Sequence, residues 1–104
     1  MSILEHDLID GIALDGQQLV LMISDHLDWG DEYDHLIELQ EKINAYIAFC
    51  ESGQYKKIYP NKDVTSAVIQ IYFMYVIPAS ARRFLSQVQL QLCEDGIAIE
   101  CYLP

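Results

Sequence analysis

The chain has 104 residues, of which 52% are apolar and 21% charged, and its 16 Asp and Glu against six Lys and Arg give a formal net charge of −10. That length buries one core, so a single α+β domain over residues 1–104 is expected, and the apolar and aromatic content excludes a disordered chain. A pI of about 4.3 excludes attachment to nucleic-acid phosphates or to an anionic membrane surface, since both require clustered Lys and Arg.

The charge is also lopsided: residues 1–41 hold eleven of the acids and neither Lys nor Arg. The opening MSILEHDLID has no basic n-region and no long apolar run, which is not the pattern of a secretory signal. The longest apolar window, Val64–Val76, falls short of the ~18 residues a membrane helix needs and is interrupted by Gln70. A cytoplasmic address is the expectation. Cys50, Cys93 and Cys101 are odd in number, widely spaced and form no CxxC pair, so they read as reduced core thiols and not as a metal or redox site.

In chain order, Asp15–Gly16 lies between two apolar runs, Leu8–Leu14 and Leu19–Ile23, and predicts a hairpin because both residue types tolerate positive φ. The period then changes. From Asp31 to Ser52 the residues Leu36, Leu39, Ile43, Tyr46, Ile47 and Cys50 share one helical stripe, with Glu38, Glu41, Lys42 and Glu51 on the other side and Gly53 as a stop. The polar stretch Gln54 to Asp63 predicts an exposed loop. Residues 64–76 are β-branched and aromatic and predict the longest strand, ended by Pro78. Ser80 is placed to cap a second helix with the inward stripe Ala81, Phe84, Leu85, Val88 and Leu92, ending near Gly96. Residues 97–103 alternate as a last strand. The order β-β-α-β-α-β predicts a two-layer sandwich, a four-stranded, mainly antiparallel sheet with two helices on one face.

Alternation assigns Leu8, Asp10, Ile12, Leu14, Leu19, Leu21 and Ile23 to the side facing the helices, with Ile69, Ile71, Phe73, Tyr75, Ile97, Ile99, Cys101 and Leu103. The opposite face then carries Val20, Met22, Val68, Tyr72, Met74 and Tyr102, too apolar to be left in water. Three accounts are open: a homodimer that stacks two such faces, which leads; a cover formed by the N-terminal segment or the 54–63 loop; or strands slipped by one residue.

The densest polar run is Ser24–His35, SDHLDWGDEYDH. Its Asp25, His26, Asp28, Asp31, Glu32 and His35 are ligand types for a divalent cation, but neither the calcium-loop pattern nor HExxH is present. Asp28 or Asp31 as a helix cap, with acids at the positive end of the helix dipole, explains the same residues without a ligand. Trp29 reads as a staple on the helix that follows, or as an aromatic anchor for a partner. Consecutive Ser24, Asp25 and His26 alternate in direction and form no nucleophilic relay, and neither GxSxG, GxGxxG nor a P-loop occurs. Asp10 among inward residues reads as an edge carboxylate reaching solvent, or as a partner of His6 or His26.

The segments ISDHLDW (23–29) and LQEKINAYIAFCESG (39–53), with the hairpin before them and Tyr59–Pro60 after, resemble a small family of uncharacterised bacterial proteins of about this length. The resemblance covers nearly the whole chain. It implies a bacterial cytoplasmic protein with one α+β domain, and it implies no activity, cofactor or catalytic residue. The functional expectation is a non-catalytic, acidic interaction module, accessory or immunity-like, without a cofactor. It is expected to dimerise through the open face and to offer Asp25, His26, Asp28, Trp29, Asp31, Glu32 and His35 as an acidic docking surface for a basic protein. The alternative is a small metal-dependent or acid–base enzyme centred on residues 24–35. A third reading is an acidic mimic that fills a nucleic-acid-binding groove.

Overall fold

The computed structural model describes residues 3–104, and its regular elements are β1 (Gly11–Asp15), β2 (Gln18–Asp25), α1 (Glu32–Ser52), β3 (Ser66–Phe73), α2 (Ala79–Leu92) and β4 (Ile97–Tyr102). Two short 3-10 helices, Gln54–Lys57 and Cys93–Asp95, enter this order. The four strands stand in chain order across one sheet.

The hairpin turns on Gly16, at φ 61°, and Gln17, with Asp15 paired to Gln18. Positive φ at the first turn residue alone is the type II′ geometry, which matches the twist of the flanking strands and needs glycine there. Pairing in this register puts Ile12 beside Leu21 and Leu14 beside Leu19, on the face assigned to the core. The first strand is shorter than the apolar run suggested, because residues 3–10 leave the sheet and run along α1.

Only β1 and β2 are antiparallel; β2 pairs β3, and β3 pairs β4, in parallel. The expectation of a mainly antiparallel sheet is therefore corrected to a mixed one. The cause is connection length. A helix of α1's size carries the chain back along the sheet, so the next strand starts at the same end as the last, and α2 repeats the move. Right-handed crossovers taken in one direction across a sheet place both helices on the same side. The helices lie against one another, with Ile43 and Ile47 of α1 and Phe84, Val88 and Leu92 of α2 lining a shared groove. The core between the layers holds Leu19, Leu21, Ile23, Ile69, Ile71 and Ile97 from the sheet, Leu39, Ile43 and Tyr46 from α1, and Ala81, Leu85 and Leu92 from α2.

Asp31 caps α1 by accepting from the Asp34 N–H at 3.2 Å, and Gly53 ends it at φ 75°. Ser80 does not cap α2. The cap position is Pro78, whose missing N–H costs nothing there, and the Ser80 hydroxyl instead donates to Glu32 Oε2 at 3.1 Å, joining the first turns of both helices. Tyr75, expected to face inward, lies beyond the end of β3 and is exposed. Cys93 and Cys101 are exposed and Cys50 is half-buried, so the core-thiol reading is corrected for the first two. Cys101 has the inward phase, but it sits near the end of an edge strand, in an open cleft beside α2.

Candidate functional site

The first structural group lies where β2, α1 and the N-terminal segment meet. Lys42, assigned by its charge to the outer side of α1, is 0% exposed. Positions 35, 39, 42 and 46 follow the 4-3-4 spacing of a single helical face, so Lys42 falls on the buried stripe. Its three ammonium hydrogens are matched by three oxygens: Glu5 O at 2.6 Å, Leu8 O at 2.7 Å and Asp10 Oδ1 at 3.0 Å. Asp10 is thus neither solvent-facing nor paired with a histidine; its other oxygen accepts from the Ser24 N–H at 2.9 Å. The Asp10 N–H donates to the Tyr46 hydroxyl, which donates in turn to Met22 O at 2.6 Å. Burial pushes the Tyr46 hydroxyl well above its ordinary pKa. With its donors engaged internally, this cluster fastens residues 3–10 to α1 and β2.

The second group is the Ser24–His35 run, at the carboxyl end of β2. His35 and Asp25 are both buried, with His35 Nε2 2.6 Å from Asp25 Oδ2 and 2.8 Å from Oδ1. His35 Nδ1 lies 2.9 Å from Asp28 O, and a carbonyl only accepts, so this nitrogen carries a proton and donates. Trp29 stacks on the imidazole at 3.5 Å and leans on Phe73 at 6.3 Å. The staple reading of Trp29 is what the geometry shows, applied to the fourth residue of α1. Asp25 also accepts from the Leu27 N–H through its side chain and from the Met74 N–H through its carbonyl. Burial raises the Asp25 carboxyl above the ordinary carboxylate range, while the hydrogen bond from His35 pulls against that shift. Both ring nitrogens are consumed internally. The Asp–His pair locks the end of β2 to α1 and β3.

Outside this lock, a groove of about 410 Å³ is lined by Leu27 and Tyr75 with His26, Asp28, Asp31, Asp34 and Glu38 around them. It gathers His26, Asp28, Asp31 and one edge of His35 from the predicted docking set and adds Asp34 and Glu38. Asp25 and Trp29 stand behind it, and Glu32 is directed to Ser80. Glu38 is bonded to His6 at 2.6 Å. The neighbouring Asp31 carboxylate raises the Asp34 pKa. Among the described residues, no group of three or more His, Cys, Asp or Glu is arranged to hold a metal ion.

The third group is the sheet face away from the helices. The parallel register aligns Val20 with Val68 and Ala98, and Met22 with Gln70 and Glu100. Val68, at the centre, is 3% exposed, whereas Tyr72 and Tyr102 are 42% and 41% exposed and stack with centroids 4.7 Å apart. Met74 lies one residue past β3 and is exposed. The polar groups on the face satisfy each other: Gln70 donates to Glu100 and to the Tyr102 hydroxyl, Tyr72 donates to Gln70, and Tyr102 donates to Glu100 at 2.9 Å. The N-terminal segment bonds to Glu38 and Lys42 of α1, and Tyr55 and Tyr59 of the 54–63 loop pack against the core. Both candidate covers are thereby engaged on the helix side.

Among the described residues, no helix is long and apolar enough to cross a membrane. No curated protein and no solved structure matches the chain. Over residues 1–104 it matches the model of a family of unknown function, DUF6572, and it belongs to that family.

Proposed function

We propose that this protein is a non-catalytic, acidic interaction module of the bacterial cytoplasm that forms a homodimer by stacking two copies of its open sheet face. The observation that carries the reading is the bare face itself. A sheet of parallel strands is ordinarily covered on both sides, and here both helices lie on one side of β2, β3 and β4. The open side presents exposed Tyr72 and Tyr102 and half-buried Val20 and Met22 around Val68, which is already buried, and its few polar atoms already bond to one another, so dehydrating it strands few of them. Glu100, held by Gln70 and Tyr102, is a charged residue near the Tyr72–Tyr102 stack, and Asp15 lies at the hairpin end of the same face. Free thiols at all three cysteines fit a reducing compartment. Against an acid–base enzyme stand the internal engagement of His35, Asp25, Asp10 and Lys42.

Sedimentation equilibrium tests this. The wild type is expected at twice the 11.9 kDa chain mass, and a Met22→Glu, Tyr72→Glu double variant with unchanged circular dichroism at the chain mass. A wild type that stays monomeric at roughly 100 μM, or a folded double variant of unchanged mass, refutes the reading. The groove of Asp28, Asp31 and Asp34 supports a second association, with a Lys- or Arg-rich segment, because it gathers three carboxylates that no Lys or Arg pairs with among the described residues.

A further inference from the structure

The outer edge of β4 is only half closed. The Ala67 N–H bonds to Gly96 O, so even-numbered residues of this segment direct their backbone groups to β3, and Ile97, Ile99 and Cys101 direct theirs outward. Gln89 of α2 serves the first outward rung as a substitute peptide: its Oε1 accepts from the Ile99 N–H at 2.6 Å and its Nε2 donates to Ile97 O at 3.3 Å. The rung beyond, Ile99 C=O and Cys101 N–H, has no partner among the described residues. Beside it runs a cleft of about 450 Å³ lined by Ile77, Leu85, Ile99, Cys101 and Leu103, with Arg82 on its rim. Arg82 and Arg83 stand near the positive end of α2, and neither has an ion-pair partner among the described residues. In a protein of net charge −10 this corner is the exception.

We propose that the 99–103 edge of β4 receives an extended peptide of a partner protein as a fifth strand, one that carries an apolar side chain and a carboxylate two positions apart. The bare rung supplies backbone hydrogen bonds, and the two-residue spacing puts both side chains on the face of the cleft. The apolar one fills the cleft and the carboxylate meets Arg82. Gln89 sets the register by occupying the preceding rung. This surface is separate from the open face, so it stands or falls independently of the dimer.

The probe is a fluorescein-labelled peptide, TVTVTET, titrated with the full chain and followed by anisotropy, with TVTVTKT as its counterpart. Saturable micromolar binding of the Glu peptide is expected, at least about tenfold tighter than the Lys peptide. Arg82→Gln weakens it about threefold to tenfold. Cys101→Pro removes an outward N–H and no bond to β3, and weakens binding by a similar factor; Gln89→Ala uncovers a further rung and tightens it. If Cys101→Pro does not fold, slowed exchange of the wild-type Cys101 amide on adding peptide replaces it. Absence of saturation at about 1 mM, equal binding of both peptides, or a Cys101 rung unaffected by peptide overturns the proposal.

Discussion

Replacing Lys42 by Met keeps the unbranched apolar stem out to Cε and removes the ammonium group with its charge and three hydrogen bonds. What remains is the Asp10 carboxylate, its side chain 3% exposed, and the carbonyls of Glu5 and Leu8 with no cation between them. Breaking a buried ion pair by removing one partner costs about 3–5 kcal/mol, because the other charge stays in a poorly solvating site. The Ser24 N–H still bonds Asp10 and residues 3–10 can lift into water, so the lower part of that range, about 3 kcal/mol, is expected. A domain of this size is stable by roughly 5–15 kcal/mol, which makes one methionine worth a large share and lowers Tm by about 15 °C. Urea unfolding followed at 222 nm measures it. Adding Asp10→Asn to Lys42→Met removes the stranded charge and recovers much of the loss, giving a coupling of about 2 kcal/mol in the double-mutant cycle. A Lys42→Met variant within about 0.5 kcal/mol of wild type would refute the buried-pair reasoning.

Two further outcomes follow from the titrating groups. The Asp25 carboxyl is raised in the folded state, so its favourable contribution is complete below the unfolded value of about 3.9 and declines as pH rises through the folded value. Asp25→Asn does not titrate, so the stability of wild type relative to this variant should fall as pH rises from about 3.9 through the folded value in urea titrations at fixed salt; a rise would contradict the burial argument. Burial pushes the Cys50 thiol up to about 11, leaving about one molecule in a thousand as thiolate at pH 8. Iodoacetamide followed by mass spectrometry should therefore modify exposed Cys93 well before Cys50, and simultaneous labelling would show that Cys50 is not enclosed.

The elements were legible because each had a local cause. Glycines at 16, 53 and 96 stand where φ is positive, and the stripes Leu39, Ile43, Tyr46 and Ala81, Leu85, Leu92 have the helical period. Strand direction was less so, since β2 and β3 look the same whether paired parallel or antiparallel, and only the intervening helix decides between them. The site residues divide by the same logic. Trp29 beside the first turn of α1 was readable from adjacency, whereas Lys42 was misread because its charge outweighed its place on the stripe. Its pairing with Asp10 joins positions 32 residues apart, and nothing local announces such a contact. Gln89 against the edge of β4 was likewise out of reach, as it depends on which strand ends the sheet.

The mixed sheet has a kinetic consequence. The hairpin of β1 and β2 closes within microseconds, but the other neighbour of β2 is far along the chain: Gln18 pairs with Ser66, 48 positions on. At a synthesis rate of about 5–20 residues per second, Leu19, Leu21 and Ile23 wait several seconds for β3. During that interval the emerged chain carries the segment with eleven acids and no Lys or Arg. Like charge on such nascent segments disfavours contact between two unfinished apolar hairpins, so the lopsided charge bears on the chain before it has a fold as well as after.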